Sequence, residues 1–345
     1  MNIVHLAPAT VFLPSFIDQM NCEGFKENRH LFYLSDSIAS GEISETECVK
    51  IFNKGRIKNF FLYLRLIFSI NKSEKIFLHG LFDPRIILIV FFMPWILHKS
   101  YWIIWGADLY GYKYQNGWKN KLRYFFIGRI AKKIGHMVTY IKGDYENAVK
   151  WFGSKANYHE CFMYKSNIYK EINIPEKFGT VTNVLVGNSA DPMNNHKDIF
   201  SKLEKVKDKN IKIFVPLSYG DKMYANEVIT LGREIFGNNI EFLTSLMQFN
   251  EYLDFLGKID IVIFNHPYQQ AMGNTITLLG LGKKVFMRSD VTQWALFKSH
   301  GITVYDIEEL ALSGSVNTQT EANKHIVKSY FSEKTFLKQL REIFN

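Results

Sequence analysis

The sequence predicts an α/β protein of two Rossmann-like domains, each built on a parallel sheet. Three observations carry this. A chain of 345 residues exceeds one ordinary core and suits two domains of about 150–180 residues each. Short β-rich runs alternate with helical stretches of about 10–15 residues, the signature of parallel βαβ units. The runs VLVG, IFVP and IVIF lack polar alternation, as strands covered on both faces do.

The elements follow in order. In the first half, residues 3–7, 31–35 (LFYLS), 75–79 (KIFLH), 101–105 (YWIIW) and 136–141 read as strands. Asp83 before Pro84 marks a helix start, because a carboxylate caps free amides and proline suits the first helical position. WKNKLRYFFIGRIAKK (118–133) and GDYENAVKWFG read as helices. A polar stretch with one proline and one glycine, 167–180, reads as a linker. Beyond it, VTNVLVGNSA, IKIFVPLSYG, IEFLTS, DIVIFNH, KKVFMRS and ITVYDI are strands with their loops. HKDIFSKLEKV, YANEVITLGREIFG, FNEYLDFLGKI, AMGNTITLLGLG and TQWALFKSHG are the helices between them. The expected division is 1–170, 181–320 and a terminal helical segment, 321–345, formed by a helix pair or one long helix. Two such domains on one linker, with sheets facing a central cleft, is the GT-B plan. Sugar-nucleotide epimerases share it, so the plan alone does not fix the reaction.

Composition narrows the function. With 47% hydrophobic and 15% aromatic residues, packed cores are expected and disorder is not. The formal charge of +9 calls for an anionic partner: nucleic acid, phospholipid headgroups or a phosphate-bearing substrate. No nucleic-acid-binding module is recognisable, so nucleic acid is not an expected partner. Cys22, Cys48 and Cys161 are scattered without metal-ligand spacing and read as inert thiols in a reducing compartment. The first residues, MNIVHLAPAT, form a strand and not a signal peptide. The most apolar run, IILIVFFMPWIL (86–97), is broken by Pro94 and is shorter than the roughly 20 residues a bilayer span requires. It reads as a buried or interfacial helix, and the protein as soluble or peripheral in the cytoplasm.

In open α/β sheets, ligands lie beyond the carboxyl ends of the strands. In the second domain those ends carry Asn188 and Ser189, then Ser218, Tyr219 and Gly220, then Thr244 and Ser245. Asn265 and His266 follow, with Tyr268, Gln269, Gln270, Gly273 and Asn274 close behind. Small residues and amides at a helix start hold a diphosphate without a P-loop, while Asn and Gln read a base edge or sugar hydroxyls. Neither GxGxxG nor GxxxxGK[ST] is present, which argues against nicotinamide and kinase-type sites. In the first domain the loops GLFDP and WGADLYGY carry His79, Gly80, Asp83 and Asp108. Asp108 is the first candidate for a base acting on an attacking hydroxyl and His79 the second. A helix cap, a turn cap and a satisfied buried histidine are the competing structural roles. Residues 118–133 interleave Lys119, Lys121, Arg123, Arg129, Lys132 and Lys133 with Trp118, Phe125 and Phe126, which suits an anionic lipid surface as well as an ordinary amphipathic helix. For FFLYLRLIFSI (60–70) a core role is expected.

The stretches WIIWGADLY, LVGNSADPMNNH, VPLSYGD and HPYQQAMGNTITLLGLGKKVF resemble glycosyltransferase family 56, the 4-acetamido-4,6-dideoxygalactose (Fuc4NAc) transferases of enterobacterial common antigen synthesis. They run from about residue 77 to 290; the first 70 residues show no such likeness. The resemblance implies a GT-B fold, a dTDP-activated deoxyamino-sugar donor and an undecaprenyl-diphosphate-linked acceptor. It also implies work at the cytoplasmic face of the inner membrane. By motif, Asn188, Ser189, Tyr219, Gly220, Gln269, Gln270 and Gly273 would line the donor side, and Asp108 would face the reaction centre. An O-antigen assembly enzyme fits as well as a common-antigen one. No DxD motif is present, so neither metal nor cofactor is expected. The alternatives are an epimerase or hydrolase acting on the donor alone, and a non-catalytic nucleotide-sugar-binding protein.

Overall fold

A computed structural model describes all residues except 11, 23, 36–42, 53–55, 115, 172–179, 207–209, 313–317 and 345. The chain forms two compact units, Met1–Asn167 with Glu333–Asn345, and Ile168–Ser332.

The first unit runs β1 (Asn2–Pro8), α1 (Leu13–Met20), β2 (Arg29–Ser35), β3 (Val49–Phe52), α2 (Arg56–Lys72), β4 (Lys75–His79), α3 (Pro84–Phe92), β5 (Ser100–Ile103), α4 (Ala107–Tyr114), α5 (Trp118–Lys133), β6 (His136–Val138), α6 (Lys142–Phe152) and β7 (Asn157–His159). Its seven strands are parallel in the order β3-β2-β1-β4-β5-β6-β7. β1 buries five consecutive residues, as a strand covered on both faces must. Right-handed crossovers place α2, α3, α5 and α6 on one face and α1 on the other. The helix Glu333–Phe344 joins the α1 side. There Phe344 packs 4.7 Å from Phe77, and the Phe162 amide donates to Gln339 Oε1 at 3.1 Å.

Asp83 caps α3, accepting from the Arg85 amide at 2.9 Å, and α3 ends before Pro94, which opens a 3-10 turn at Pro94–Lys99. β5 starts one residue and ends two residues before the expected strand does, because the chain turns at Gly106, whose φ of 95° favours glycine. α1 and the edge strands β3 and β7 were not expected; β7 is the three-residue NYH, too short and polar to register as a strand. A correction concerns α2. Leu62, Leu66 and Ile70 are buried, but Phe60, Phe61, Leu64, Ile67 and Phe68 are exposed, so most of this apolar stretch lies outside the core.

The second unit runs β8 (Thr182–Val186), α7 (His196–Val206), β9 (Ile211–Pro216), α8 (Lys222–Phe236), β10 (Ile240–Leu243), α9 (Phe249–Lys258), β11 (Ile261–Phe264), α10 (Met272–Gly280), β12 (Lys284–Met287), α11 (Thr292–Ser299), β13 (Tyr305–Asp306) and α12 (Thr318–Tyr330); the terminal helix is α13. Its six parallel strands lie in the order β10-β9-β8-β11-β12-β13. Val184, Val186, Ile213, Val215, Ile261 and Ile263 meet Phe200, Leu203 and Val228 of the covering helices in the core. Each such side chain stabilises the fold by about 1.5–3 kcal/mol relative to exposure.

The terminal segment is a helix pair divided between the units. α12 belongs to the second, where Phe331 lies 6.4 Å from Phe297, and α13 to the first. Most of the expected linker, 172–179, lies outside the described residues.

Candidate functional site

Strand order reverses between β8 and β11, so the loops after these strands diverge at a topological switch point. Asn194 ties them together. It is fully buried, and its Oδ1 accepts from the Asn188 amide at 2.9 Å and from His266 Nε2 at 2.8 Å. Its Nδ2 donates to Ser189 Oγ at 3.3 Å and to the Asp191 carbonyl at 3.1 Å. Gly187 makes room for this clamp: its φ is 67°, and a Cβ there would stand 2.6 Å from His196 Nε2 and 2.7 Å from Asn194 Oδ1. The β9 loop is stitched alongside, with the Ala190 amide donating to the Tyr219 carbonyl at 2.8 Å and the Asp221 amide to the Ala190 carbonyl at 3.0 Å. A Cβ on Gly220 would strike the Ala190 carbonyl carbon at 2.6 Å.

On this frame sit polar atoms with nothing to bond. Among the described residues of the second unit, the buried side-chain N and O atoms without a partner are Asn188 Oδ1, His196 Nε2, His266 Nδ1, Gln269 Oε1 and Gln270 Oε1. All belong to the loops after β8 and β11 or to the start of α7. An unmade buried hydrogen bond costs about 1–3 kcal/mol, so such a cluster marks a place where a ligand or ordered water completes the bonding. Because His266 Nε2 donates to Asn194, its Nδ1 is a bare acceptor. The three amide oxygens are acceptors too, so the cluster matches ligand N–H and O–H groups. Burial keeps these imidazoles neutral, lowering His266 to about 3 and His196 to about 4.

Beside the acceptors begins α10. Its N-cap, Ala271, is left-handed at φ 53° and supplies no side-chain cap. The first intrahelical bond runs from the Thr275 amide to the Ala271 carbonyl at 2.9 Å, so the amides of Met272, Gly273 and Asn274 lie ahead of the helical ladder. Amides in this position favour anions. Gln270 Nε2 reaches Asp191 Oδ2 at 3.2 Å, and the Asn274 side chain bonds Tyr252. Asn188 Nδ2 donates to the exposed Tyr219 hydroxyl at 3.1 Å.

The structure thus brings Asn188, Ser189, Tyr219 and Gly220 together through the β8–β9 stitching, and places Gln269, Gln270, Gly273 and Asn274 at one helix start. Asn265 turns inward instead, donating to Asp198 Oδ2 at 2.7 Å. Asn194, His196 and Asp191 were absent from the candidates read in the sequence. The spacing of Asn194 and His196 after Gly187 was the available signal, but only the fold shows both facing the missing glycine side chain.

In the first unit, Asp108 is fully buried. Its Oδ1 accepts from the Trp105 amide at 3.0 Å, and its Oδ2 from Trp102 Nε1 at 2.6 Å and the Leu81 amide at 3.1 Å. Burial raises its pKa, and these donors oppose the rise. The carboxylate therefore ties the loop after β4 to the loop after β5. His79 is also fully buried, with its pKa lowered to about 3 by desolvation. Both its nitrogens are engaged, Nδ1 with Tyr164 Oη at 2.6 Å and Nε2 with His5 Nδ1 at 2.9 Å; His5 Nε2 continues to His30 Nδ1 at 3.0 Å. Trp105 Nε1 donates to the same tyrosine oxygen at 3.1 Å. An indole N–H only donates; the run from Trp105 through Tyr164, His79 and His5 to His30 is the direction that also gives the tyrosine proton an acceptor, while the reversed tautomers leave that proton unbonded. Near these loops a shallow dent of about 10 Å³, room for roughly one water, opens at the ends of β1, β2 and β4, lined by Leu6, Pro8, Ser35, Gly80, Phe82 and Ile86 among others.

Among the described residues, no group of three or more His, Cys, Asp or Glu side chains is placed to hold a metal ion, and no helix is long and apolar enough to cross a membrane.

Comparison with known proteins follows this geometry. The family described as 4-alpha-L-fucosyltransferase glycosyl transferase group 56 matches residues 13–339. Among solved structures, Anabaena HepE in complex with UDP is similar at a TM-score of 0.72 with 12% identity, over 99% of either chain. Sucrose-phosphate synthase from Thermosynechococcus elongatus is similar at 0.69 with 10% identity, over 100% of this chain and 98% of that one. A glycosyltransferase from Rickettsia africae gives 0.65 with 14% identity, over 99% of this chain and 97% of that one. These likenesses agree with the GT-B fold.

Proposed function

The chain belongs to glycosyl transferase group 56, and from that premise we propose that this glycosyltransferase moves a deoxyamino sugar of the Fuc4NAc type from a dTDP donor to an undecaprenyl-diphosphate-linked glycan. Its setting is bacterial surface-polysaccharide assembly, of the common antigen or an O-antigen, as a peripheral protein at the cytoplasmic face of the inner membrane.

The observation that carries the donor reading is the cluster of buried acceptors beside the uncapped start of α10. A nucleoside-diphosphate sugar offers the complementary groups. Its pyrimidine N–H and its hydroxyls meet Asn188, Gln269, Gln270 and His266, and its diphosphate meets the amides of Met272, Gly273 and Asn274. The same amides stabilise the charge that develops on the leaving diphosphate. The complex of HepE with UDP is a precedent for a nucleotide diphosphate on a similar fold. The first unit receives the acceptor, beyond the carboxyl ends of its strands.

In this reading Asp108 and His79, the two base candidates read in the sequence, take other roles. A carboxylate holding three donors and an imidazole bonded at both nitrogens favour positioning of the Trp105 loop over direct proton removal. Transfer proceeds without a metal; activity abolished by chelation and restored only by a divalent ion would refute this.

The deciding experiment is a thermal-shift series with dTDP, UDP, GDP, CMP and ADP, since a ligand bound only by the folded state raises apparent stability. The largest shift is expected with dTDP. A preference for UDP or GDP removes the proposed donor and leaves the transferase. No shift with any of them removes the donor site from the second unit.

A further inference from the structure

Three segments of the first unit, α2, residues 84–99 and α5, share one face of the sheet and a common composition. Together they hold twelve lysines and arginines and no aspartate or glutamate, a larger charge than the net +9 of the whole protein. They also hold more than half of the large hydrophobic side chains that are exposed among the described residues, including Phe60, Phe61, Phe68, Phe92, Trp95 and Trp118. Contacts join the segments into one surface. Trp95 Nε1 donates to Asn71 Oδ1 at 2.9 Å, and Lys99 Nζ to the Asn71 carbonyl at 3.0 Å, fixing the 3-10 turn to the end of α2. Phe91 meets Phe126 edge to face at 4.8 Å, fixing α3 to α5. The surface ends at α6, where Asp144 and Glu146 reappear and Lys142 lies 4.0 Å from Glu146.

Within the surface, Arg85 is paired with Asp83 and Lys58 with Glu45. Arg65, Lys72, Lys121, Lys132 and Lys133 have no ion-pair partner among the described residues. Lys72 instead lies 4.2 Å over Phe68, and Arg129 lies 4.9 Å over Phe125.

We propose that this face docks on an anionic lipid bilayer, with its aromatic side chains in the headgroup region and its cations at the lipid phosphates. A contiguous apolar surface of this kind is rare on a protein that meets only water. Aromatic and aliphatic groups interleaved with unopposed cations are what an interfacial helix presents to anionic lipid. A second copy does not fit, because self-pairing sets cations against cations. The inference deepens the reading that the acceptor is lipid-held and is independent of the donor assignment.

The test is flotation of the full chain with vesicles of phosphatidylglycerol and phosphatidylethanolamine, against vesicles of phosphatidylcholine alone. The protein floats with the anionic vesicles at low salt and not with the neutral ones. Raising salt to about 0.5 M weakens binding by about tenfold, since exposed charges are then screened. Replacing Phe60→Ser with Phe61→Ser, or Trp95→Ala with Phe68→Ser, lowers binding at every salt concentration. Unchanged thermal unfolding shows that these surface variants fold. Wild type left at the bottom with anionic vesicles at low salt overturns the proposal. So does flotation of both aromatic variants equal to wild type, or a concentration-dependent dimer that the aromatic variants dissolve. Flotation without transfer to a lipid-linked acceptor keeps the docking surface and refutes the acceptor.

Discussion

The two units share one architecture and treat their strand ends in opposite ways. In the second, the loops after β8 and β11 are built rigidly around Asn194 and leave a set of buried acceptors unbonded. In the first, Asp108 after β5 takes three donors and His79 at the end of β4 is held at both nitrogens, while Thr10 Oγ1 and His30 Nε2 stay unpartnered singly. Polar groups left open mark the half that awaits a small polar ligand. Polar groups closed on one another around Asp108 and His79 mark the half that holds a shape, and its exposed apolar side chains lie mostly on the outer helices. On the reading proposed above, the same fold supplies a donor site in one copy and a positioned loop with a docking face in the other.

The largest effect that would break this comparison is at Asn194. Asn194→Ala leaves the Asn188 amide and His266 Nε2 without their shared acceptor. It should destabilise the second unit by about 3 kcal/mol or more and abolish the nucleotide-induced thermal shift. A variant that keeps both stability and nucleotide shift would mean that the clamp does not organise the site. Next is Asp108→Asn, which sets an N–H donor or a weaker acceptor against the amides and the indole that the carboxylate now receives. Turnover should fall about a hundredfold, the scale on which misplaced groups lower rates, while the KM for the donor stays within about twofold. Near-wild-type turnover removes Asp108 from the reaction. A raised donor KM with unchanged turnover contradicts the division of labour between the units.

Protonation gives a smaller effect for each group. His79 and His266 are lowered to about 3, and His30 and His196 to about 4, in each case chiefly by burial. All are neutral in the fold near pH 7. Below their ordinary value of 6.5 the unfolded chain takes up protons that the folded chain refuses, so stability falls as pH drops from 6.5 towards 4. The slope is about 1.4 kcal/mol per pH unit for each fully affected histidine. Urea unfolding across that range measures it, and a flat profile would mean that these imidazoles gain water or a partner. A saturating nucleotide should offset the loss in the second unit and leave it unchanged in the first.

Much of this was legible in the chain. Uninterrupted runs such as IVIF announced parallel strands, and the polar residues behind them fall in the loops that carry the open acceptors, because strand ends follow from strand positions. The edge strand NYH escaped because three mixed residues carry no periodicity. The role expected for FFLYLRLIFSI failed for a different reason. Leu62, Leu66 and Ile70 form a narrow stripe that suffices to anchor α2, so the remaining aromatics were free to face outward, and hydrophobicity alone does not distinguish a core from an interface. Asp108 and His79 stood out in the sequence; whether a buried carboxylate acts on a substrate or on its own loops depends on where its donors lie, and those come from residues 81, 102 and 105.

The finest test of the comparison lies inside the donor loops, between two residues that differ in how their polar atoms are used. Gln270 holds Asp191 through Nε2 and leaves Oε1 buried and unpartnered. Tyr219 is exposed, and its hydroxyl already receives Asn188 Nδ2. If open buried acceptors are what recognises the ligand, Gln270→Ala should weaken nucleotide binding about tenfold, the scale of one well-made buried hydrogen bond. Tyr219→Phe should change it less than about threefold, because water replaces an exposed bond at little cost. Titration calorimetry with dTDP ranks the two. The reverse ranking would place the ligand on the outer rim of the loops rather than against α10, with the open acceptors then held by solvent.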